Sequence, residues 1–175
     1  TYFYFKGDTK KVIDIYESKI SKLSQLIPDE VLSESSFWCG RAHYSLGDYR
    51  KAFLMFQESL RRNEDNLLAK FGLGQTQIQN KLVEESILTF ENIYKTKEGI
   101  QELNYILGLL YAAKCLDPKS SLSRSDKEKN IVKATQFLEK YIKLTKTKKN
   151  QPVILKAYLV LSQLCELQSS YKQSL

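Results

Sequence analysis

"FWCGRAHYSLGDYRKAF", residues 37–53, holds the chain's only tryptophan and its only histidine, with Cys39 four residues before that histidine. Read as chemistry, it offers a thiol and an imidazole on one helix face. Read as packing, it offers a glycine between bulky side chains, a Gly-Asp turn and a second amphipathic run. The rest of the sequence decides between these readings by repetition. Gly40, Gly74 and Gly108 stand 34 residues apart, and Phe37, Phe71 and Tyr105 keep the same interval. So do Phe56 and Phe90, each preceded at four residues by a small residue, Ala52 and Ser86. After the first two glycines come the turn sequences "SLGDY" (45–49) and, more weakly, "QNKLV" (79–83). A fixed period of this length is the mark of a stacked helix–turn–helix repeat.

Within each unit the apolar spacing is helical: Cys39, His43 and Leu46 form one stripe, and Phe53, Phe56 and Leu60 the next. Gly47 breaks the pattern and Asp48 is the expected N-cap of the second helix. Gly40, inside a helix, costs about 1 kcal/mol relative to alanine. Close approach of the first helix to Ala52 of the second is the expected compensation.

The same register divides the chain into a partial repeat (1–26), whole repeats at 33–66 and 67–100, a repeat at 101–150 and a partial repeat at 152–175. The first carries a Gly7-Asp8 turn, and "PDE" (28–30) belongs to an extra connection. The repeat at 101–150 needs an insertion, which the polar run "DPKSSLSRSD" (117–126) supplies, so that its second helix begins near Lys127 with Ala134 and Leu138 in the small and large places. The last opens near Pro152, carries Tyr158, Leu161 and Tyr171, and stops just inside a second helix. Both ends cut through repeats, and the chain starts at Thr1 without methionine, so a piece of a longer array is expected.

The pattern of an aromatic residue, a glycine, Gly-x-Tyr, a small residue and Phe resembles the tetratricopeptide (TPR) family, matched here by Gly40, Gly47, Tyr49, Ala52 and Phe56. Cys39 and His43 depart from the family's usual Leu and Tyr, and the usual Pro near Glu64 is absent. "FWCGRAHYSLGDYRKAFLMFQESL", "FGLGQTQI" and "ELNYILGLLYAAK" narrow the resemblance to the TPR scaffold subunits of RNA polymerase II-associated factor (Paf) complexes. That resemblance implies a nuclear protein of transcription elongation and histone modification. It also implies that this block holds other subunits of the complex, the name-giving Paf subunit first and the parafibromin-like subunit second.

The bulk properties agree with an all-α TPR-type helical solenoid of antiparallel helix pairs. Gly and Pro number only seven and three in 175 residues, too few for the turns of an all-β fold. The longest apolar run, "YILGLLYAA" (105–113), is about half of a bilayer-spanning helix, and no leader of basic and apolar residues opens the chain. Cys39, Cys115 and Cys165 lack metal-ligand spacing, so reduced thiols and no metal or other cofactor are expected.

No catalytic set is legible. Cys39 and His43 occupy the packing face, where the next repeats carry Leu73 and Gln77, then Leu107 and Tyr111. "GLGQ" (72–75) follows no strand and precedes no Lys-Ser or Lys-Thr pair. Glu84 and Glu85 fall on a polar face. The chain is therefore read as a binding module, not an enzyme.

A second stripe on the first helices runs through Phe37, Arg41 and Tyr44, then Phe71, Gln75 and Ile78, then Tyr105, Leu109 and Ala112. Neighbouring helices could cover it. The alternative, adopted here, is a partner-binding groove for an apolar segment, with Arg41 and Gln75 anchoring the partner's backbone or an acidic side chain. A chaperone-adaptor groove would carry Lys, Arg and Asn there instead. Net charge is +7, and twelve Lys or Arg against four Asp or Glu fall between Lys114 and Lys156. This basic stretch, with Lys146, Lys148 and Lys149, reads as a solvated helix face or as a contact for an acidic partner or nucleic acid. A further TPR adaptor or a nucleic-acid-contacting module is thus the alternative function.

Overall fold

A computed structural model describes residues 1–97, 99–145 and 151–173. Lys146, Lys148 and Lys149 of the basic stretch, and the last two residues of the final partial repeat, lie outside the described residues. In chain order the helices are α1 (Tyr2–Phe5), α2 (Thr9–Ile15), α3 (Asp29–Ser45), α4 (Tyr49–Arg62), α5 (Leu67–Gln79), α6 (Val83–Thr96), α7 (Gln101–Leu116), α8 (Arg124–Thr145) and α9 (Gln151–Gln173). A π-helical turn, Tyr16–Ile20, and a 3₁₀ turn, Ser21–Leu23, extend α2. The chain divides into two compact units, Thr1–Ile93 and Tyr94–Leu175.

In the first unit the turns repeat one device. Gly47 takes φ +79°, and the Asp48 carboxylate accepts from the Lys51 amide at 3.2 Å to cap α4. Gly7, at φ +80°, and Asp8, accepting from Lys11 N at 3.1 Å, do the same for α2. Between α5 and α6 the place of Gly47 is held by Lys81, the one non-glycine residue with positive φ (+63°) among the described residues. "PDE" is not part of a connection: Pro28 is the N-cap of α3, and Asp29 and Glu30 lie in its first turn, where the helix dipole favours carboxylates.

Packing between helices centres on phenylalanine rings set against glycines. Phe56 of α4 is wholly buried with Phe37, Ala52 and Ala69. A Cβ placed on Gly40 would lie 3.0 Å from the Phe56 ring and 3.2 Å from Met55 Cβ; one on Gly72 of α5 would lie 2.5 Å from the same ring. The atoms nearest to that place on Gly40 thus belong to Met55 and to Phe56, whose cluster also holds Ala52. Gly74 gives the same clearance to Phe90 of α6, at 2.6 Å. A polar clasp joins α3 to α4. Ser59 Oγ donates to the Ser33 carbonyl at 2.7 Å, Ser33 Oγ donates to the Ser59 carbonyl at 2.9 Å, and Asn66 Nδ2 donates to both hydroxyls. Asn66 Oδ1 also caps α5 by accepting from the Ala69 amide.

In the second unit Gly108 of α7 faces Leu138 of α8, whose Cγ would sit 2.7 Å from an added Cβ. Leu138 and Ala134 are both fully buried, as the repeat register requires. Helix α8 begins at Arg124, not near Lys127. Ser123 and Asp126 form a reciprocal cap, the Asp126 amide donating to Ser123 Oγ at 3.1 Å and Ser123 Oγ to the Asp126 carboxylate at 2.7 Å. The polar connection is thereby shortened to residues 117–123. Helix α9 is unbroken from Gln151 to Gln173, so the expected second helix of the last repeat does not begin before Gln173. Among its residues Ala157 and Leu164 are buried, whereas Tyr158 is half exposed.

Candidate partner-binding site

The thiol and imidazole of the opening stretch are placed for packing. Cys39 is completely buried in α3, and burial pushes its thiol up to about 12, so no thiolate is available as a nucleophile near neutral pH. His43 is 5% exposed, and burial lowers its pKa against the opposing pull of Asp48, whose carboxylate lies 3.6 Å from Nδ1. Two turn contacts fix the ring's backbone, since the His43 carbonyl accepts from the amides of Leu46 and Asp48. At the equivalent place in the next repeat, Gln77 is also buried and its Oε1 accepts from Thr89 Oγ1 at 2.8 Å. Both positions join the two helices of a pair.

The stripe of α3 and α5 is partly open. Phe37 is not on its open side: it is 6% exposed, its ring 5.9 Å from that of Phe56. Arg41 is half-buried, its guanidinium 5.7 Å from the Tyr4 ring centroid. Tyr44 stands edge-on to Tyr49 at 5.2 Å and its hydroxyl accepts weakly from Gln79 Nε2. Phe71 is half-buried, edge-on to Phe90 at 5.8 Å; Gln75 is half-buried beside it, and Ile78 is exposed.

The sequence reading missed a neighbouring cluster. Trp38, half-buried, stacks obliquely on Tyr4 at 5.2 Å and stands edge-on to Phe5 at 5.4 Å, and its indole N–H donates to Glu34 at 3.2 Å. Phe5 is 74% exposed. Together with Arg41 over Tyr4 these side chains continue the open side of α3 onto α1. The signal for Trp38 was its i, i+4 spacing from Glu34. No local pattern could pair it with rings more than thirty residues earlier.

In the second unit the equivalent Tyr105 and Leu109 are half-buried, as Phe71 and Gln75 are. Tyr105 and Leu109 pack against a core of Leu138, Ile142 and Ala157, with Ile154, Val160 and Leu161 around it. Tyr105 tilts against Tyr141 at 5.1 Å, and burial raises its pKa. Ala112 is buried as well. Here α9 lies against the stripe and shields part of it.

Helix pairs joined by short capped turns, with a large side chain of each second helix seated on a glycine of the first, define a TPR-type helical repeat protein. Solved structures of the same fold agree. "MamA 41-end from Desulfovibrio magneticus RS-1" superposes with a TM-score of 0.64 at 17% identity, over 96% of this chain and 90% of that one. "MamA RS-1 ArsTM double mutant" gives 0.62 at 15% identity. No family model matches the chain. The chain is 65% identical, over its whole length, to a segment of the RNA polymerase-associated protein CTR9 of Saccharomyces cerevisiae, and spans 16% of that protein. It is also 26% identical, over 87% of its length, to the Schizosaccharomyces pombe protein called Tetratricopeptide repeat protein 1, of which it spans 13%. The resemblance to the repeat scaffold subunit of the Paf complex, first carried by residues 37–60, 71–78 and 102–114, thus extends along the entire chain.

Proposed function

We propose that this chain is a non-catalytic scaffold segment of a Paf-type complex in the nucleus, and that its first unit holds a segment of another subunit. The name-giving Paf subunit is the first candidate and the parafibromin-like subunit the second. Through that contact the chain supports transcription elongation and histone modification. The observation that carries the binding site is the open side of α1, α3 and α5, where Tyr4, Phe5, Trp38 and Arg41 adjoin Tyr44, Phe71, Gln75 and Ile78. Aromatic side chains with an apolar body and a polar tip are common anchors at interfaces. Arg41 and Gln75 add donors for a partner's carbonyls or carboxylates. Phe37 supports this face from within, whereas Tyr105 and Leu109 are half-buried against the second unit's core.

The test is a titration of the purified chain with the Paf subunit. Removing one large buried side chain is worth roughly 1.5–3 kcal/mol, so Trp38→Ala or Phe71→Ala is expected to weaken binding about tenfold to a hundredfold. Ile78→Asp, at an exposed position where the fold is not at risk, gives a second reading. Leu88→Ala, on the exposed side of α6, is the control. If Ile78→Asp, and Trp38→Ala with its helicity intact by circular dichroism, all bind as tightly as the parent chain, this face is not the site.

A further inference from the structure

The second unit carries a surface that the aromatic face of the first does not explain. Lys129, Lys133, Lys140 and Lys143 fall on one side of α8, at intervals of four, seven and three residues. Three of them have partners: Lys140 Nζ donates to Tyr94 Oη at 2.6 Å, Lys133 Nζ donates to Tyr111 Oη at 3.1 Å, and Lys129 Nζ pairs with the Asp126 carboxylate at 3.5 Å. At the Lys140 end the row opens into a cleft of about 440 Å³. Its cationic wall is Lys95, Lys97 and Lys140, and its apolar wall is Tyr94, Ile100 and Leu144, the last 40% exposed. Asn104 lines the same cleft. It is 97% buried, and its Oδ1 is the one buried side-chain atom among the described residues without a hydrogen-bond partner.

We propose that this cleft and the lysine row leading to it bind an acidic segment of a partner protein, one that alternates carboxylates with large apolar side chains. Charge complementarity sets the sign of the ligand. The choice between a protein and a nucleic acid rests on two features. The rings beneath the row are already committed to one another, Tyr111 stacked on Phe137 at 6.2 Å and Tyr94 edge-on to Phe137 at 5.4 Å. Tyr94, the ring that lines the cleft, also has Lys140 Nζ over it at 5.2 Å, which competes with a base for the usual sequence-tolerant stacking anchor of single strands. Ile100 and Leu144 bring apolar surface among the ammonium groups, which suits a Leu or Phe beside an Asp or Glu and not a phosphodiester. This surface is independent of the face on α1, α3 and α5, and the two proposals stand or fall separately.

The experiment uses the whole chain and a fluorescein-labelled dodecapeptide of Asp, Glu, Leu and Phe. Comparison probes are the same peptide with Asn and Gln for the acids, the same peptide with Ser for Leu and Phe, and a single-stranded oligouridylate. Anisotropy is followed at two salt concentrations. The acidic apolar peptide is expected to bind more tightly than all three. Lys97→Gln with Lys140→Gln should weaken it by about tenfold, from the loss of two partly screened pairs and the cleft's shape. Leu144→Ser should weaken it while leaving its salt dependence unchanged. Tyr94→Phe, which keeps the ring and deletes the hydroxyl that holds Lys140, should give an intermediate loss. Lys10→Gln, in the other unit, should change nothing. The proposal is overturned if the oligouridylate binds as tightly as the peptide, if the Ser-substituted peptide binds equally well, if the double lysine variant is unaffected, or if the peptide does not bind.

Discussion

Gly72→Ala adds a single methyl group, and the structure fixes what it meets. The new Cβ would lie 2.5, 2.6 and 2.8 Å from three carbons of the Phe56 ring, well inside van der Waals contact. Phe56 has no room to yield: it is wholly buried, and its ring already lies 3.0 Å from the place of a Cβ on Gly40 across α3. Alanine in place of glycine favours a helix by about 1 kcal/mol. Overpacking a well-filled core costs about 1–3 kcal/mol. At Gly72, where the overlap approaches an ångström, the clash should exceed the helical gain and leave a net loss of about 1–2 kcal/mol. In a chain of this size that lowers Tm by roughly 2–8 °C. Gly40→Ala meets the ring only at 3.0 Å, so its two terms should nearly cancel, while Gly40→Leu should destabilise clearly. Urea denaturation of each single variant, of Phe56→Leu and of the Gly72→Ala/Phe56→Leu double variant closes the cycle. The smaller side chain should absorb the added methyl, so the double variant should be more stable than the sum of the single effects predicts. Strict additivity, or a Gly72→Ala variant more stable than the parent, would refute the assignment of Gly72 as the seat of Phe56.

Three further outcomes follow from local features. Lys81, at φ +63° where the preceding repeat has Gly47, carries a strain that Lys81→Gly should relieve; a gain of about 1 kcal/mol by thermal or urea melting is expected. His43 is held neutral by burial, so its contribution to stability is complete above its ordinary pKa of about 6.5 and is lost as pH falls below that value toward the lowered one. His43→Gln, with Gln77 as the precedent for fit, should therefore gain on the parent chain as pH is lowered from 7.5 to 5.5, and an unchanged difference between them would remove the burial argument. Residues 117–122 should tolerate shortening with little change in Tm, because loop closure depends only weakly on length, whereas Ser123→Ala should cost about 1 kcal/mol by deleting the α8 cap.

Much of the fold was legible because its determinants are local and repeated. The interval that links Gly40 to Gly74 and Gly108 marks where a second helix must approach a first. The Gly47-Asp48 pair specifies a left-handed residue followed by a cap, and both requirements are met by neighbours in sequence. Boundaries failed where a cap went unread. Ser123 and Asp126 begin α8 earlier than the apolar pattern alone implied, and Asp29 and Glu30 open α3 where a connection was expected.

The open or covered state of each side chain could not be read in this way. Phe37, Phe71 and Tyr105 share one repeat position. Yet Phe37 is buried with Phe56 and Ala69, Phe71 is half-buried edge-on to Phe90, and Tyr105 is half-buried against the core that α8 and α9 build. Trp38 gained its partners only when α1 came beside α3. The amino-acid sequence by itself determined the helical class, the period and the turns, since hydrogen bonds and steric limits within a few residues set them. The tertiary structure alone decided which faces remain available for binding, because burial is a property of whatever neighbours a surface.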